Sequence, residues 1–409
     1  MNRPFSSGSI LSSFQGVIAE SLVCPSCEST DLTTFFEIPE LPVNVGNFYD
    51  TPEAARMAPT ASISLQYCSD CGLVHNRAFE RNSEIFQPGY EVSLRHSKTF
   101  RKFIKSVAER LVTDFDLRGR KITEIGCGDA YFLENLATLG CNECIGIDPT
   151  IVMEGSTPTD SGSVKLIRDY FSEDHTHHET DFICCLSVFE DIPRIAEFLK
   201  NVHTLASRNN APVYFEVFNG WRAFEQCEVW SVHYEQCNYF SLRSLENVFL
   251  QNGFKIKNSG ECYSENQYLF VEAIAVEQST ISTLQMDHSP SMPITLSNFS
   301  RHFSDRRNLW EKRFRNYRNE NQTVVLWGTG GKGITFLNTV PGADLIEVVA
   351  EINPDKHLKY LPVTGQKVVP VETLVNINPD KIIITNPIYK EEMMEQAADL
   401  GLSAEFLVA

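Results

Sequence analysis

From about residue 97 the apolar residues of this chain repeat with two alternating periods. Short apolar runs at 121–125 (KITEI), 144–148 (CIGID), 181–187 (DFICCLS) and 212–218 (PVYFEVF) have the length and the β-branched or aromatic content of buried strands. Between them, segments near 97–113, 131–139, 194–207 and 242–252 place apolar residues three and four apart, the spacing of one helix face. Strands that alternate with helices in this way predict an α/β fold with a parallel sheet covered on both faces. The same alternation returns from about residue 321 and predicts a second Rossmann-like unit. The first 85 residues have little helical periodicity and carry two cysteine pairs instead.

Residues 276–300 are rich in Ser, Thr and Pro and read as a linker, and 301–320 read as a charged amphipathic helix. The expected units are therefore 1–85, 86–275, a connecting 276–320, and 321–409. A length of 409 residues agrees, because one hydrophobic core seldom organises more than roughly 300. The formal net charge of -18 repels phosphate backbones and anionic lipid, so nucleic acid and membrane surfaces are not expected partners. No apolar run approaches the roughly 18 residues of a spanning helix, and the start MNRPFSSGS lacks the pattern of a signal peptide. A cytoplasmic location is the expectation, and the oligomeric state is left open.

Cys24-Pro-Ser-Cys27 and Cys68-Ser-Asp-Cys71 form two C-x2-C pairs separated by 40 residues. Two such pairs can supply four thiolates to one tetrahedral ion, so a closed, structural zinc site is expected. The remaining cysteines, among them Cys127, Cys141, Cys144, Cys184 and Cys185, lie in apolar or strand-like segments and read as small buried hydrophobes.

After the first central strand the chain reads Glu124-Ile-Gly126-Cys-Gly128-Asp129, and Asp148 closes the next strand 20 residues beyond Gly128. The glycines permit a tight turn close to a ligand, and the carboxylate of Asp148 can accept bonds from ribose hydroxyls. Dinucleotide sites share this logic but reserve a helix N-terminus for pyrophosphate. An acidic side chain at Glu124 or Asp129 opposes pyrophosphate and suits the ammonium of S-adenosylmethionine (SAM). Asp169, after the expected third strand, is a further candidate on the adenine side. A nicotinamide site and a ligand-free structural loop stay open as alternatives.

With the cysteine pairs, the segment His233-Tyr-Glu-Gln-Cys-Asn-Tyr-Phe-Ser241 and the final stretch from Val324-Val-Leu-Trp-Gly-Thr-Gly-Gly-Lys-Gly-Ile-Thr-Phe-Leu-Asn338, beside the acidic glycine turn, the chain resembles the three-domain, SAM-dependent sugar C-methyltransferases that act on nucleotide-activated 4-ketohexoses. Asn353-Pro-Asp-Lys356, Tyr360-Leu-Pro362 and Asn378-Pro-Asp-Lys-Ile-Ile-Ile-Thr385 continue the likeness. The resemblance implies a class I methyltransferase core between a zinc-binding N-terminal domain and a C-terminal Rossmann-like domain. It implies SAM and structural zinc as cofactors, a nucleotide-linked (keto)sugar as substrate, and a place in deoxysugar biosynthesis.

In that family enolate chemistry is assigned to Tyr, His and Glu side chains, in a segment that commonly reads Tyr-His-Glu-His before Tyr-Phe-Ser. Here the positions read His233, Tyr234, Glu235 and Gln236, and a further family His falls on Asp191. Gln236 cannot take up a proton. His233 or Glu235 as base, Tyr234 as enolate donor, Asp191, and Tyr90 at another family Tyr position form the candidate catalytic set. In the C-terminal loop Gly328, Gly330 and Gly333 can turn backbone N–H groups toward an anion and Lys332 adds a charge, so a substrate phosphate is expected there; close helix packing is the other reading. The altered set also suits a hydroxyl or amine acceptor, or a silent protein that binds SAM or a nucleotide sugar.

Overall fold

A computed structural model of the chain describes residues 23–80, 85–141, 143–159, 162–277 and 292–409. Near the N-terminus β1 (Leu32–Pro42), β2 (Thr60–Cys68) and β3 (Val74–Asn76) form an antiparallel sheet. The central part supplies β4 (Lys121–Ile125), β5 (Glu143–Ile147), β6 (Gly155–Pro158), β7 (Ser163–Ile167), β8 (Phe182–Leu186) and β9 (Val213–Phe218). It continues with the two-residue β10 (Asn238–Tyr239), then β11 (Phe254–Cys262) and β12 (Tyr268–Ala275). The C-terminal part holds β13 (Val324–Trp327), β14 (Val348–Glu351), β15 (Lys367–Pro370), β16 (Lys381–Ile384) and β17 (Glu405–Val408).

The central sheet has the order β11-β12-β9-β8-β4-β5-β7-β6. Its middle strands are parallel, while β12 runs antiparallel to β9 and β11 to β12. The fold is that of a class I methyltransferase. From β4 the chain first builds outward to β5 and β7, then returns to add β8 on the other side, so a switch point lies between β4 and β8. At such a point the flanking connections leave in opposite directions and open a crevice at the carboxyl ends of the strands. The C-terminal sheet, β15-β14-β13-β16-β17, is parallel throughout and has its own switch point at β13.

The strands expected from the sequence are present as β4, β5, β8 and β9, within one residue of the expected ends. The helices follow as Lys98–Asp114, Tyr131–Thr138, Ile195–Asn209 and Leu242–Gln251. Helix Lys98–Asp114 buries Ile104, Val107, Ala108, Leu111 and Val112, the three-and-four spacing that predicts it, and Ser97 caps its start. The helix expected at 301–320 begins earlier, at Met292, so the end of the Ser/Thr/Pro-rich stretch is helical. The rest of that stretch, 278–291, lies outside the described residues. No helix among the described residues is long and apolar enough to cross a membrane.

The sheets do not stand apart. One apolar core contains Phe36, Ile63 and Leu65 from the N-terminal sheet, Trp230 and Tyr239 from the central part, Trp310 and Phe314 from helix Met292–Asn319, and Phe336 and Val349 from the C-terminal part. β10, from the stretch after β9, pairs with β3 and so carries the central part into the N-terminal sheet. Across another boundary the Glu392 carboxylate accepts from Ser97 Oγ at 2.8 Å, Lys98 N at 2.8 Å and Thr99 N at 3.1 Å. It thereby satisfies amide donors that the first turn of helix Lys98–Asp114 leaves unpaired. Burial pushes the Glu392 pKa up, but these bonds hold it below the usual carboxylate value. The three parts of the chain are thus packed against one another.

Candidate active site

β4 ends at Ile125, and the turn that follows uses Gly126 (φ 75°) and Gly128 (φ 50°). At Gly126 a Cβ would lie 2.3 Å from Val188 Cγ2, so packing as well as backbone angle requires glycine there. At Gly128 nothing lies within 4 Å of such a Cβ, and the backbone faces open space. Asp148 Oδ2 accepts from Gly128 N at 2.8 Å, and its Oδ1 accepts from Thr150 N at 2.7 Å and Thr150 Oγ1 at 2.6 Å. Those bonds use three of its roughly four acceptor positions and leave one for a ligand hydroxyl. Beneath the turn Glu124 is buried, with Oε2 lacking a hydrogen-bond partner. Burial, then the charges of Asp129 and Asp148, raise its pKa well above the ordinary value. An acidic floor of this kind fits a cationic ligand and opposes pyrophosphate.

Residues 85–97 cross this turn as a strap. Phe86 N donates to Tyr170 Oη at 3.0 Å, and that hydroxyl donates to Phe86 O at 2.9 Å. Ser93 Oγ donates to Asp129 Oδ2 at 2.7 Å, while Arg95 reaches Asp129 at 3.3 Å and Glu134 at 2.9 Å. Glu91 accepts from Asn353 Nδ2 of the C-terminal part at 3.0 Å. Between these ties Tyr90 Oη donates to Glu235 Oε1 at 2.7 Å. Its ring rests on Gly46, where a Cβ would lie 2.6 Å from Tyr90 Cε2.

Glu235 is buried, and its Oε2 accepts from Val45 N at 2.9 Å. Burial pushes its pKa up to about 7, although the Tyr90 hydroxyl, the Val45 N–H and Asn44 all pull downward. Tyr90 is held neutral: burial, then the charges of Glu235 and Asp191, raise its pKa well above the usual phenol value, with a smaller contribution from Asp148. Asp191 is raised in turn by burial and by the charges of Glu190 and Glu235. Glu190 is itself pushed up to about 7 by burial and accepts from Phe218 N at 3.0 Å. Tyr90 and Glu235 are therefore in direct contact, and the charges of Asp191 and, more weakly, Asp148 act on the phenol.

Other candidates from the sequence lie elsewhere. Tyr234 is buried, stacked on Phe79 with ring centroids 5.0 Å apart, and its hydroxyl accepts from Glu80 N at 3.0 Å. His233 faces the C-terminal part, with Nδ1 3.0 Å from Thr335 Oγ1. The Thr335 hydroxyl donates to Val232 O at 2.8 Å, so the imidazole must supply the proton between Nδ1 and Oγ1. Burial and the Lys332 charge lower the His233 pKa to about 4. His233 is thus a neutral hydrogen-bonding group turned away from Glu235. Gln236 is buried, its amide 3.4 Å from Asn238 O. Asp169 is 57% exposed and lies 3.6 Å from His175 Nε2.

The C-terminal loop does not offer the free charge expected of it. Lys332 Nζ lies 2.6 Å from Glu228 Oε2, and the ammonium is largely buried in that pair. Gly328 has φ 103°, and at Gly333 a Cβ would meet Gly328 O at 2.8 Å, so these glycines permit close packing of strand and helix. Gly330 stands immediately before helix Gly331–Thr339, and at the next residue a Cβ would lie 2.6 Å from His233 Nε2.

The four cysteines Cys24, Cys27, Cys68 and Cys71 converge, with all sulfurs within 4.8 Å of one another. Cys24 to Cys71 and Cys27 to Cys68 each measure 3.5 Å. Thiolates about 2.3 Å from a tetrahedral ion stand roughly 3.8 Å apart, so the donor set and spacing fit a closed metal site. Sequence reasoning missed Ser93, Arg95, Tyr170, Glu228 and Thr335. Thr335 lies within the C-terminal stretch that carries the resemblance, but its role, like those of the others, exists only once distant segments meet.

A family model for a methyltransferase domain matches residues 95–258, and one for a C-methyltransferase C-terminal domain matches residues 286–408. With the fold and the acidic glycine turn, these matches define the class: the chain is a SAM-dependent methyltransferase. More particularly, its methyltransferase domain is followed by a C-methyltransferase C-terminal domain. Among solved structures it is similar to magnesium protoporphyrin IX methyltransferase from Synechocystis PCC 6803 with bound SAM, at 18% identity over 45% of this chain and 86% of that one, with a TM-score of 0.33. It is also similar to a SAM-dependent methyltransferase from Mesorhizobium loti, at 14% identity over 42% of this chain and 99% of that one, with a TM-score of 0.32. No curated protein matches the chain.

Two of the acidic candidates of the donor site, Asp148 and Asp169, make separable predictions. Asp148→Ala removes both the ribose acceptor and the tie to Gly128, so SAM affinity by calorimetry is expected to fall by at least about tenfold. Asp169→Ala, at an exposed position, is expected to change it by less than about threefold. Equal affinities for Asp148→Ala and the wild type would refute the site.

Proposed function

We propose that this methyltransferase methylates the carbon beside the keto group of a nucleotide-linked sugar, with Glu235 as base and Tyr90 as its hydrogen-bonding partner, and that the four-cysteine cluster holds a structural zinc ion. The observation that carries the reading is the 2.7 Å hydrogen bond between the half-buried Tyr90 and the buried Glu235. The bound donor supplies an electrophilic methyl group on a sulfonium. A carbon next to a carbonyl becomes nucleophilic only after losing a proton, so the protein must supply a base there and a donor for the developing enolate oxygen.

Glu235, with a pKa pushed up to about 7, can accept a proton near neutrality. The ordinary carboxylate is a far weaker base. Tyr90 keeps its proton and can hydrogen-bond first to the carboxylate and then, as Glu235 is neutralised, to the enolate oxygen. The upward shift of Glu235 comes from its burial, and the Glu235 charge in turn raises Asp191. The base role thus falls on Glu235 and not on His233, whose pKa near 4 and contact with Thr335 make it unsuited. Support for carbon as the methylated atom comes from the C-methyltransferase C-terminal domain. The nucleotide-sugar acceptor rests on the resemblance of the cysteine pairs, the 233–241 segment and the C-terminal stretch to the sugar enzymes. Zinc is supported by the four sulfurs and does no chemistry, because a closed four-thiolate set leaves no open position.

Three outcomes are expected. With nucleotide-linked 4-ketosugars as acceptors, kcat/KM should rise with pH through about 7 as Glu235 loses its proton. Tyr90→Phe removes a bond that pulls this pKa down, so the acidic limb should move to higher pH while kcat falls; an unmoved limb would contradict the assignment. Elemental analysis of the purified protein should return one zinc per chain, lost with a Cys68→Ala, Cys71→Ala double variant; a metal-free, stably folded wild type would contradict the zinc assignment.

A further inference from the structure

The C-terminal loop has the spacing of a nucleotide-binding turn: Gly328, Gly330 and Gly333 follow β13, and Glu351 ends β14. The two charged side chains that would meet a nucleotide, Glu351 and Lys332, are already engaged inside the protein. Glu351 accepts from Thr329 N at 3.0 Å, from the Thr329 hydroxyl, and from Ile352 N and Asn353 N at 2.8 and 3.0 Å. The hydroxyl of Thr329 thus takes the place that a ribose hydroxyl would fill. Lys332, where a phosphate contact was expected, binds Glu228 from the stretch after β9. Glu228 also pairs with Arg222, which reaches Glu265 at 3.1 Å, and despite its burial these cations hold Glu228 below the usual carboxylate pKa. At the helix N-terminus the His233 imidazole lies directly over Gly331, where a Cβ would come 2.6 Å from Nε2.

We propose that this loop is a clamp and not a ligand site, and that Lys332 and Thr335 are positioning residues that hold the 228–236 segment so that Glu235 meets Tyr90. The proposal rests on the reading of Glu235 as the base. Thr335 grips the segment at two points, donating to Val232 O and accepting from His233 Nδ1. On the other side Tyr239 Oη accepts from His233 N at 3.2 Å and lies 3.3 Å from His233 O. Two residues further on, Val45 N of the N-terminal part fixes the Glu235 carboxylate. The positive end of helix Gly331–Thr339 and the Lys332 ammonium both disfavour an imidazolium, so His233 stays a neutral connector with its proton on Nδ1. A loop built to cradle an anion thereby seats a side chain from another part of the same chain.

The test uses the full chain. Thr335→Val keeps the shape of the side chain and removes the hydroxyl. It is expected to lower kcat about 5- to 10-fold, as the loss of one hydrogen bond implies, with SAM affinity unchanged. The 15N resonances of His233, assigned by their absence in His233→Gln, should lose the signature of a fixed Nδ1–H tautomer. Thr335→Ser should restore both, and Lys332→Arg should retain more turnover than Lys332→Ala. Wild-type kcat and an unchanged tautomer in Thr335→Val would overturn the clamp, as would a nucleoside diphosphate that perturbs the Lys332 and His233 resonances of the wild type on titration. If Glu235→Gln keeps full turnover the base assignment fails, yet the tautomer readout still reports on the clamp, so the two failures are distinguishable.

Discussion

The site depends on a carboxylate being buried by three separate parts of the chain at once. Glu235 comes from the stretch between β9 and helix Leu242–Gln251, its Oε1 is held by Tyr90 of the strap, and its Oε2 by Val45 N of the N-terminal part. A carboxylate in water is too acidic to act as a base at neutrality, and desolvation is the force that raises it. That burial is costly on its own account, so it persists only because the surrounding parts are locked together.

The lock is largely apolar. One core runs from Phe36 and Leu65 through Trp230 and Tyr239 to Trp310 and Phe336, which makes the strap, the 228–236 segment and the C-terminal loop members of a single packed body. Polar ties at its rim fix geometry more than they add stability: Glu392 at the start of helix Lys98–Asp114, Asn353 to Glu91, and Lys332 to Glu228. The donor turn shares in this arrangement, because the strap that carries Tyr90 also binds Asp129 through Ser93 and Arg95. The proposed donor site and base are consequently coupled through about a dozen residues of connecting chain.

Much of this was legible in the sequence where the signal is local. β4, β5, β8 and β9 announce themselves as apolar runs because both faces of each strand are buried, and the cysteine pairs because a tetrahedral ion demands that spacing. The turn at Gly126 and Gly128 was readable because φ and close packing both demand glycine in the first and open backbone in the second. What could not be read was long-range. The resemblance put Tyr90 and Glu235 in one candidate set, but nothing near Tyr90 shows that its hydroxyl bonds directly to Glu235, 145 positions away. Motif spacing suggested an anion site at Lys332, but a motif does not reveal that Glu228 and His233 come to meet it. Nor could residue type distinguish the roles of His233, Tyr234 and Glu235, because consecutive side chains face different parts of the molecule: Thr335, Phe79 and Tyr90 respectively.

The central claim is that a buried carboxylate removes a proton from carbon. It is tested most directly by incubating the protein in deuterium oxide with a nucleotide-linked 4-ketosugar and a non-transferring analogue of the methyl donor, and following the acceptor by NMR. Deuterium should enter at the carbon beside the keto group with the wild type, and not with Glu235→Gln at unchanged donor affinity. Undiminished exchange by that variant, or methylation on oxygen without any exchange, would contradict the account.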